Sequence, residues 1–460
     1  MACLGGCAVG PDYHRPDTPL DAHFANAAEP GFAETEAIEH YWTGFDDPMM
    51  TGLVDDALAH NLGLSAAAAN LRAARAAKRL AGFDQYPTAI LAAGYTHRLD
   101  SQQQLPGVDR HDREFDAAQA GFDGLWELDL FGRVRRNVEA ARGDLGAAAA
   151  TLQDARVSVI AEVARDYFIL RGLQDQLSLT QRNAENQFST FKLTRNRLEA
   201  GRGNELDTAR AEAQWQTTLA TIPTLQASIA TTCYRLSVLT GRTPTALGAS
   251  LAVLAPLPAL PPFNAIGTPE QMLRRRPDVR VAERRLAAAT ARVGVAIGDL
   301  FPKVTLLGDV GYFAPTFGEF GQSQARFFSV GPSISWAAFD LGRVQARIGS
   351  AKAQTDQALA AYEGAVLGAL ENTEGALIGY GRSQVRREAL RVAAAASDKA
   401  ADLARKRFEG GLIDFLEVLD AERSALSAEL LLSQSRTDAA TSLIAVYKAL
   451  GAGWRTAAPK

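Results

Sequence analysis

The 460-residue chain has no stretch of about 18 uncharged apolar residues, which excludes a membrane-spanning helix. It does not exclude a β-barrel. There is no basic excess either: 48 Lys and Arg against 52 Asp and Glu leave a net charge of -4, which argues against DNA or RNA as a partner. Three cysteines imply no disulfide framework, even in an oxidising compartment. All six histidines, His14, His23, His40, His60, His97 and His111, fall in the first quarter of the chain without metal-ligand spacing. P-loop, Gly-x-Ser-x-Gly and Rossmann signatures are missing. The chain is expected to be no enzyme and to use no cofactor and no metal.

Proline is absent from Arg133 to Ala200 and again from Arg343 to Ala458. Because proline costs roughly 3 kcal/mol inside a helix, these spans read as long continuous helices. At about 1.5 Å per residue, a helix over 133–200 is a rod of roughly 100 Å, which a compact globular domain does not need.

What is present, above all, is repetition. Trp126 to Val134 aligns with Trp336 to Val344, and Leu198-Glu199-Ala200-Gly201 with Phe408-Glu409-Gly410-Gly411, at one constant offset of 210 positions. Gly241 and Gly451 fall at the same spacing. A constant offset over so long a span fixes the distances within each half, so the chain is two copies of one unit. The rods are Ala-rich, and Val344, Ile348, Ala351, Thr355, Leu359, Tyr362 and Val366 draw a narrow apolar stripe of the coiled-coil kind. Gly364, Gly368, Gly375 and Gly379 are expected to mark close helix contacts.

Ahead of each rod stand two alternating segments. Over 115–128, Ala118, Ala120, Phe122, Trp126 and Leu128 lie on one face, and Gln119, Asp123 and Glu127 on the other. Over 326–338, Phe328, Val330, Ile334 and Trp336 oppose Ser329, Ser333 and Ser335. Their partners are 88–98 and 303–313, joined through turn-rich stretches near Pro106-Gly107 and Pro315 to Gln322. Four strands of about 10 residues are long enough to cross a tilted bilayer, and Trp126 and Trp336 suit its interfacial belt. Four strands cannot close a barrel; three chains would supply twelve.

At this point the sequence resembles the TolC-like outer membrane factors, and among them the OprM/NodT lipoprotein branch. The resemblance rests on Cys7-Ala8-Val9-Gly10-Pro11-Asp12-Tyr13, on Leu273-Arg274-Arg275-Arg276-Pro277-Asp278-Val279, and on the run Gly294 to Pro302, and it covers nearly the whole chain. It implies a mainly α fold with a membrane β-barrel: two tandem repeats, long antiparallel coiled-coil helices forming a trimeric α-barrel, and four strands per chain forming a 12-stranded barrel. The expected divisions are a lipobox and N-terminal belt segment at 1–45, a first repeat at 46–242 with its long helix at 133–200, and a Pro-rich linker at 243–268. A second repeat follows at 269–451, with its long helix at 343–410, and then a tail at 452–460. The implied role is the outer membrane exit duct of a tripartite efflux pump for drugs or other small molecules. The homotrimer would meet a periplasmic adaptor (membrane fusion) protein, an inner-membrane RND-type transporter and outer membrane lipid. A duct for peptide or protein secretion is the alternative.

Leu4-Gly5-Gly6-Cys7 resembles the family's lipobox, with Cys7 the acylated (palmitate-bearing) residue. No charged n-region or apolar h-region precedes it, so a start codon placed too late or a trimmed leader is expected. Cys233 reads as a core residue. Gly201 and Gly410-Gly411 should turn the rods back at their tips, and Gly201, Arg202, Gly203, Gly411, Leu412 and Ile413 are the expected adaptor contacts. Glu417 and Asp420, three apart on one helix face, match the family's periplasmic constriction and would stack as acidic rings. Asp207, with Glu205 nearby, holds the equivalent place in the first repeat. The family's polar latch is replaced by Phe408 and Ile413, so closure is expected to rest on Leu412, Ile413 and Phe415. Arg274 to Arg276 are expected to be solvated or salt-bridged parts of a belt around the bundle, to which the Pro-rich stretch from Leu254 to Pro262 would also belong.

Overall fold

A computed structural model of the chain describes residues 8–27, 32–33, 40–261 and 264–452; Cys3 and Cys7 lie outside them. The first repeat runs through helices α1 (Pro48–His60) and α2 (Leu62–Phe83), strands β1 (Thr88–Leu99) and β2 (Glu114–Leu128), and helices α3 (Arg133–Glu199) and α4 (Glu205–Leu239). The second repeats that order: α5 (Pro269–Arg275), α6 (Pro277–Gly298), β3 (Lys303–Ala314), β4 (Arg326–Ser335), α7 (Leu341–Glu409) and α8 (Phe415–Ala449).

Local chemistry explains the boundaries. Asp47 caps α1 by accepting from the Met50 N–H, and Thr268 closes a capping box with Gln271 at α5; both helices carry proline at their first position. Helix α3 ends on a paired turn in which Gly201 N–H donates to Leu198 O and Arg202 N–H to Arg197 O. Helix α7 ends the same way, with Gly411 N–H to Phe408 O and Leu412 N–H to Arg407 O. Gly201 and Gly411 hold φ of 70° and 73°, so each supplies the left-handed residue that the turn requires. The same pattern closes α4 at Gly241 and α8 at Gly451. The repeat is thus preserved down to individual backbone hydrogen bonds.

Several boundaries differ from expectation. Strand β4 stops at Ser335 instead of 338, because Ser335 pairs with Lys303, the first residue of β3, and no partner remains for Trp336. Strand β2 starts one residue early at Glu114, opposite Leu99. Helix α7 begins at Leu341, two residues before Arg343, with Asp340 O accepting from both Arg343 and Val344 N–H.

The strands form one antiparallel sheet in the order β1-β2-β3-β4. The two repeats are not the two compact units of the chain. One unit takes the chain up to Asp17 with Asn70–Ala149 and Val281–Gly364; the other takes Thr18–Ala69, Ala150–Arg280 and the chain from Ala365. Each therefore mixes both repeats, and the long helices run through both. In the first unit, Val344, Ile348 and Tyr362 of the apolar stripe are buried, and Gly143 lies so close to Ala288 that a Cβ would come within 2.8 Å of the Ala288 Cβ. In the second, Tyr41 stacks on Tyr447 at 4.4 Å, and Phe45 meets Phe168 edge-on at 5.0 Å. Phe32 and Ala33 pair in parallel with Asn264 and Ala265, which joins the N-terminal segment to the end of the linker.

The glycines of α7 are a correction. A Cβ built on Gly364, Gly368, Gly375 or Gly379 meets nothing within 4 Å, so within one chain they make no close helix contact. They lie off the buried side of α7, which Tyr362, Val366, Ala369 and Leu377 occupy. Small-residue spacing alone does not tell a packed face from an open one.

Candidate functional site

The helix tips bring the candidate constriction residues together. Phe415, Val418 and Leu419 are buried, while Glu417 and Asp420 project from the exposed side of α8. Among the described residues neither carboxylate has a hydrogen-bond or ion-pair partner, and Arg423, one turn further on, is likewise exposed and unpaired. In the first repeat the equivalent acid is used locally: Asn204 caps α4 by accepting from the Asp207 N–H at 2.8 Å, and its amide donates to Asp207 Oδ2 at 2.9 Å. Arg210 stands where α8 has Asp420, so at this pair of equivalent positions only the second repeat carries two acids.

Of the expected contact turns, Gly201, Arg202, Gly203, Gly411 and Leu412 are exposed, Leu412 at 76%. Ile413 is half-buried, packed on a cluster of Phe408, Phe415, Val418, Leu419 and Ala211. Within one chain Leu412 faces solvent, whereas Ile413 and Phe415 join the apolar cluster. Phe408 and Phe415 meet at 5.6 Å, and the Arg197 guanidinium sits 4.5 Å over the Phe408 ring.

In the sheet, register sorts residues onto two faces. Asp123 pairs directly with Asp309, and Asp309 with Ser329, whose hydroxyl donates to Asp309 Oδ1 at 2.5 Å. The opposite face carries the row Leu91, Phe122, Val310 and Phe328, one residue from each strand. A sheet polar on one face and apolar on the other suits water on one side and lipid on the other. The Trp126 indole donates to Gln85 O at 3.1 Å and the Trp336 indole to Leu300 O at 2.9 Å. Each acceptor lies three residues before its neighbouring strand begins, so both indoles mark the helix-proximal end of the sheet. Phe339, fully exposed beside Trp336, belongs with them and was not anticipated.

The segment after Cys7 has a structural reason for its pattern. Val9 N–H donates to Phe131 O at 3.0 Å, and Arg136 donates to Val9 O, Gly10 O and Asp12 Oδ1. Gly10, at φ 93°, lies so close to Gly294 that a Cβ would come within 2.5 Å of the Gly294 Cα. Burial, with Glu283 beside it, pushes the Tyr13 phenol up to about 12. Two motifs far apart in sequence are thus one clasp. Gly10→Ala is expected to cost about 1–3 kcal/mol and to loosen the strap, which faster proteolysis ahead of Arg15 would register.

The outer membrane efflux protein family matches residues 53–242 and 268–452 of this chain. The chain belongs to that family. Nodulation protein T of Rhizobium leguminosarum bv. trifolii is 30% identical over 99% of this chain and 96% of its own. The probable efflux pump outer membrane protein TtgC of Pseudomonas putida is 29% identical over 98% of this chain and 93% of its own. Among solved structures, the outer-membrane channel OprN superposes with a TM-score of 0.92 at 43% identity, covering 97% of this chain and 100% of that one. As an outer membrane efflux protein the chain is located in the outer membrane.

Two features of this efflux protein were not legible from motifs. Glu422, only 7% exposed, accepts from Arg405 Nε and Nη2 at 3.3 and 3.1 Å and from the Thr190 hydroxyl at 3.3 Å, tying α3, α7 and α8 just behind the apolar tip cluster. The three arginines of the Arg274 motif also divide their labour. Arg274 makes an exposed pair with Glu270, whereas Arg276 is buried and reaches Ala369 O, Ala449 O and Asp278. Cys233 is buried and unpaired.

Proposed function

We propose that three copies of the chain form the passive exit duct of a tripartite efflux pump, joined to a periplasmic adaptor and an inner-membrane RND-type transporter. The observation that carries it is the four-stranded sheet with two open edges, β1 and β4, and one apolar face across all four strands. In lipid an open edge leaves backbone groups unsatisfied, so the edges pair with other copies. Three copies give twelve strands and a water-filled lumen, lined by the face that carries Asp123 and Asp309. Relatives named as efflux pump outer membrane proteins support the assignment. The helices extend from the Trp126 and Trp336 end into the periplasm, the acylated Cys7 anchors the strap that Arg136 clasps, and the exposed turns at Gly201 to Gly203 and Gly411 to Ile413 receive the adaptor. Energy comes from the transporter.

Two experiments test this. The detergent-extracted protein is expected at the mass of three 49.1 kDa chains plus acyl groups; a monomer would remove the duct. In planar bilayers Glu417 and Asp420 act as stacked acidic rings. The double variant E417A/D420A is expected to raise conductance and to lower cation preference about fivefold, the factor that corresponds to ~1 kcal/mol. R423A is expected to shift the preference the other way. Unchanged conductance and selectivity in the double variant would sink the ring assignment.

A further inference from the structure

The apolar face of the sheet is not smooth. Beside the row Leu91, Phe122, Val310 and Phe328, the next row toward the hairpin loops holds Ala93, Ala120, Tyr312 and Arg326. Small residues on β1 and β2 beside large ones on β3 and β4 leave a hollow of about 580 Å³. The β3–β4 loop closes one end, with Phe320 against Tyr312 at 5.8 Å and Phe317 stacked on Phe320. Its volume falls in the range of roughly 300–1,000 Å³ that small apolar ligands occupy.

The hollow has a direction. Its apolar row lies nearer the tryptophan end, and Arg326 sits at the loop end, where the sheet meets the outer leaflet. Among the described residues the Arg326 side chain has no hydrogen-bond or ion-pair partner, although Glu319 lies in the adjoining loop. An unpaired guanidinium above an apolar slot, on the face turned away from Asp123 and Asp309, matches an amphiphile with an anionic head.

We propose that this hollow seats one acyl chain of a phosphorylated glycolipid of the outer leaflet, with Arg326 holding the phosphate. All four strands contribute, so the site is complete in one protomer and stays on the lipid side when the sheet edges pair. It rests on the barrel reading above. The probe is hexa-acylated, bis-phosphorylated lipid A, added to delipidated trimer and followed by native mass spectrometry. The comparison lipids are dephosphorylated lipid A and phosphatidylglycerol.

Lipid A is expected to remain bound, with about tenfold weaker retention of the dephosphorylated form or in R326Q, and recovery in R326K. A120L, which fills the slot, is expected to release both forms of lipid A while the trimer persists. Retention that is equal for R326Q and the wild type, or equal for all three lipids, would reduce the hollow to ordinary lipid contact and overturn the proposal. Phosphatidylglycerol bound as tightly as lipid A would overturn the glycolipid assignment. Absence of any trimer in the wild type would overturn the barrel and the site with it.

Discussion

Arg276→Ala is expected to destabilise the protein by about 2–4 kcal/mol, the cost of leaving two helix carbonyls without their donor and the half-exposed Asp278 without its ion-pair partner. Arg276 is 9% exposed; it donates to Ala449 O at 3.0 Å, to Ala369 O at 3.3 Å and to both Asp278 oxygens at 3.0 and 2.6 Å. One guanidinium thereby ties the start of α6 to α7 and to the last residue of α8. Lysine cannot serve these acceptors with a planar fork, so R276K should recover only part of the loss. Asn61 supplies a built-in comparison. At the equivalent bend between α1 and α2 its amide donates to Leu239 O, the last residue of α4, at 2.9 Å. Being neutral and making fewer bonds, Asn61→Ala is expected to cost only about 1–2 kcal/mol. Unfolding midpoints of the purified variants measure both, and equal losses at the two positions would refute the ion-pair argument.

The difference at Arg276 also depends on pH. Burial raises the Asp278 carboxyl, and the hydrogen bonds and charge of Arg276, together with the Val279 and Asp278 backbone N–H groups, more than reverse this, holding it below the usual carboxylate range. A depressed carboxylate stabilises the fold above its unfolded pKa of about 4, and that contribution is lost as pH falls through the folded value. The gap between wild type and R276A should therefore narrow on acidification. Asp154 works in the opposite sense, since burial and then Asp278 raise its carboxyl, and protonating it relieves the fold.

The comparison of Asn61 with Arg276 explains why much of this architecture was legible in the sequence and part was not. Features fixed by backbone geometry keep their residue types. Gly201 and Gly411 must be left-handed, and α3 and α7 contain no proline, so the turn positions and the lengths of these two helices could be read directly, whereas Pro223 lies inside α4 without ending it. Alternation gave the strand faces, because register maps every second residue to one side. Jobs that several side chains can do leave no such trace. An amide in one repeat and a guanidinium in the other hold the same helix end, and nothing in the spacing of either announces it. The α7 glycines fail for a related reason: small-residue spacing is shared by packed and open faces, and only coordinates distinguish them. Glu422 lies within the acidic run that marks the tip, yet it is buried whereas Glu417 and Asp420 are exposed, a difference set by helix phase against α3 and α7.

That burial leads to the expected behaviour of R405A, which should leave the helix tips biased open by about 3 kcal/mol, roughly a hundredfold in an open–closed equilibrium. Glu422 would keep only the Thr190 hydroxyl, with its charge otherwise uncompensated beside Phe415, Val418 and Leu419. The contact is strategic because it joins three helices at one height. Elsewhere α8 is tied to α3 by Asn183 to Glu429 at 3.1 Å and by Ser433 to Asp175 at 2.6 Å, and those links remain intact in the variant. The opening should accordingly be confined to the tip side of Glu429. Single-channel recordings would show it as long open dwell times, and cells would show it as entry of large hydrophilic antibiotics. The decisive comparison is R405A/E422L, which removes both charges and fills the space with an apolar side chain. If the buried charge is what drives opening, the double variant closes again despite having lost the ion pair; if it leaks as much as R405A, the pair is not the latch and the aromatic contact of Phe408 with Phe415 must hold the tip by itself.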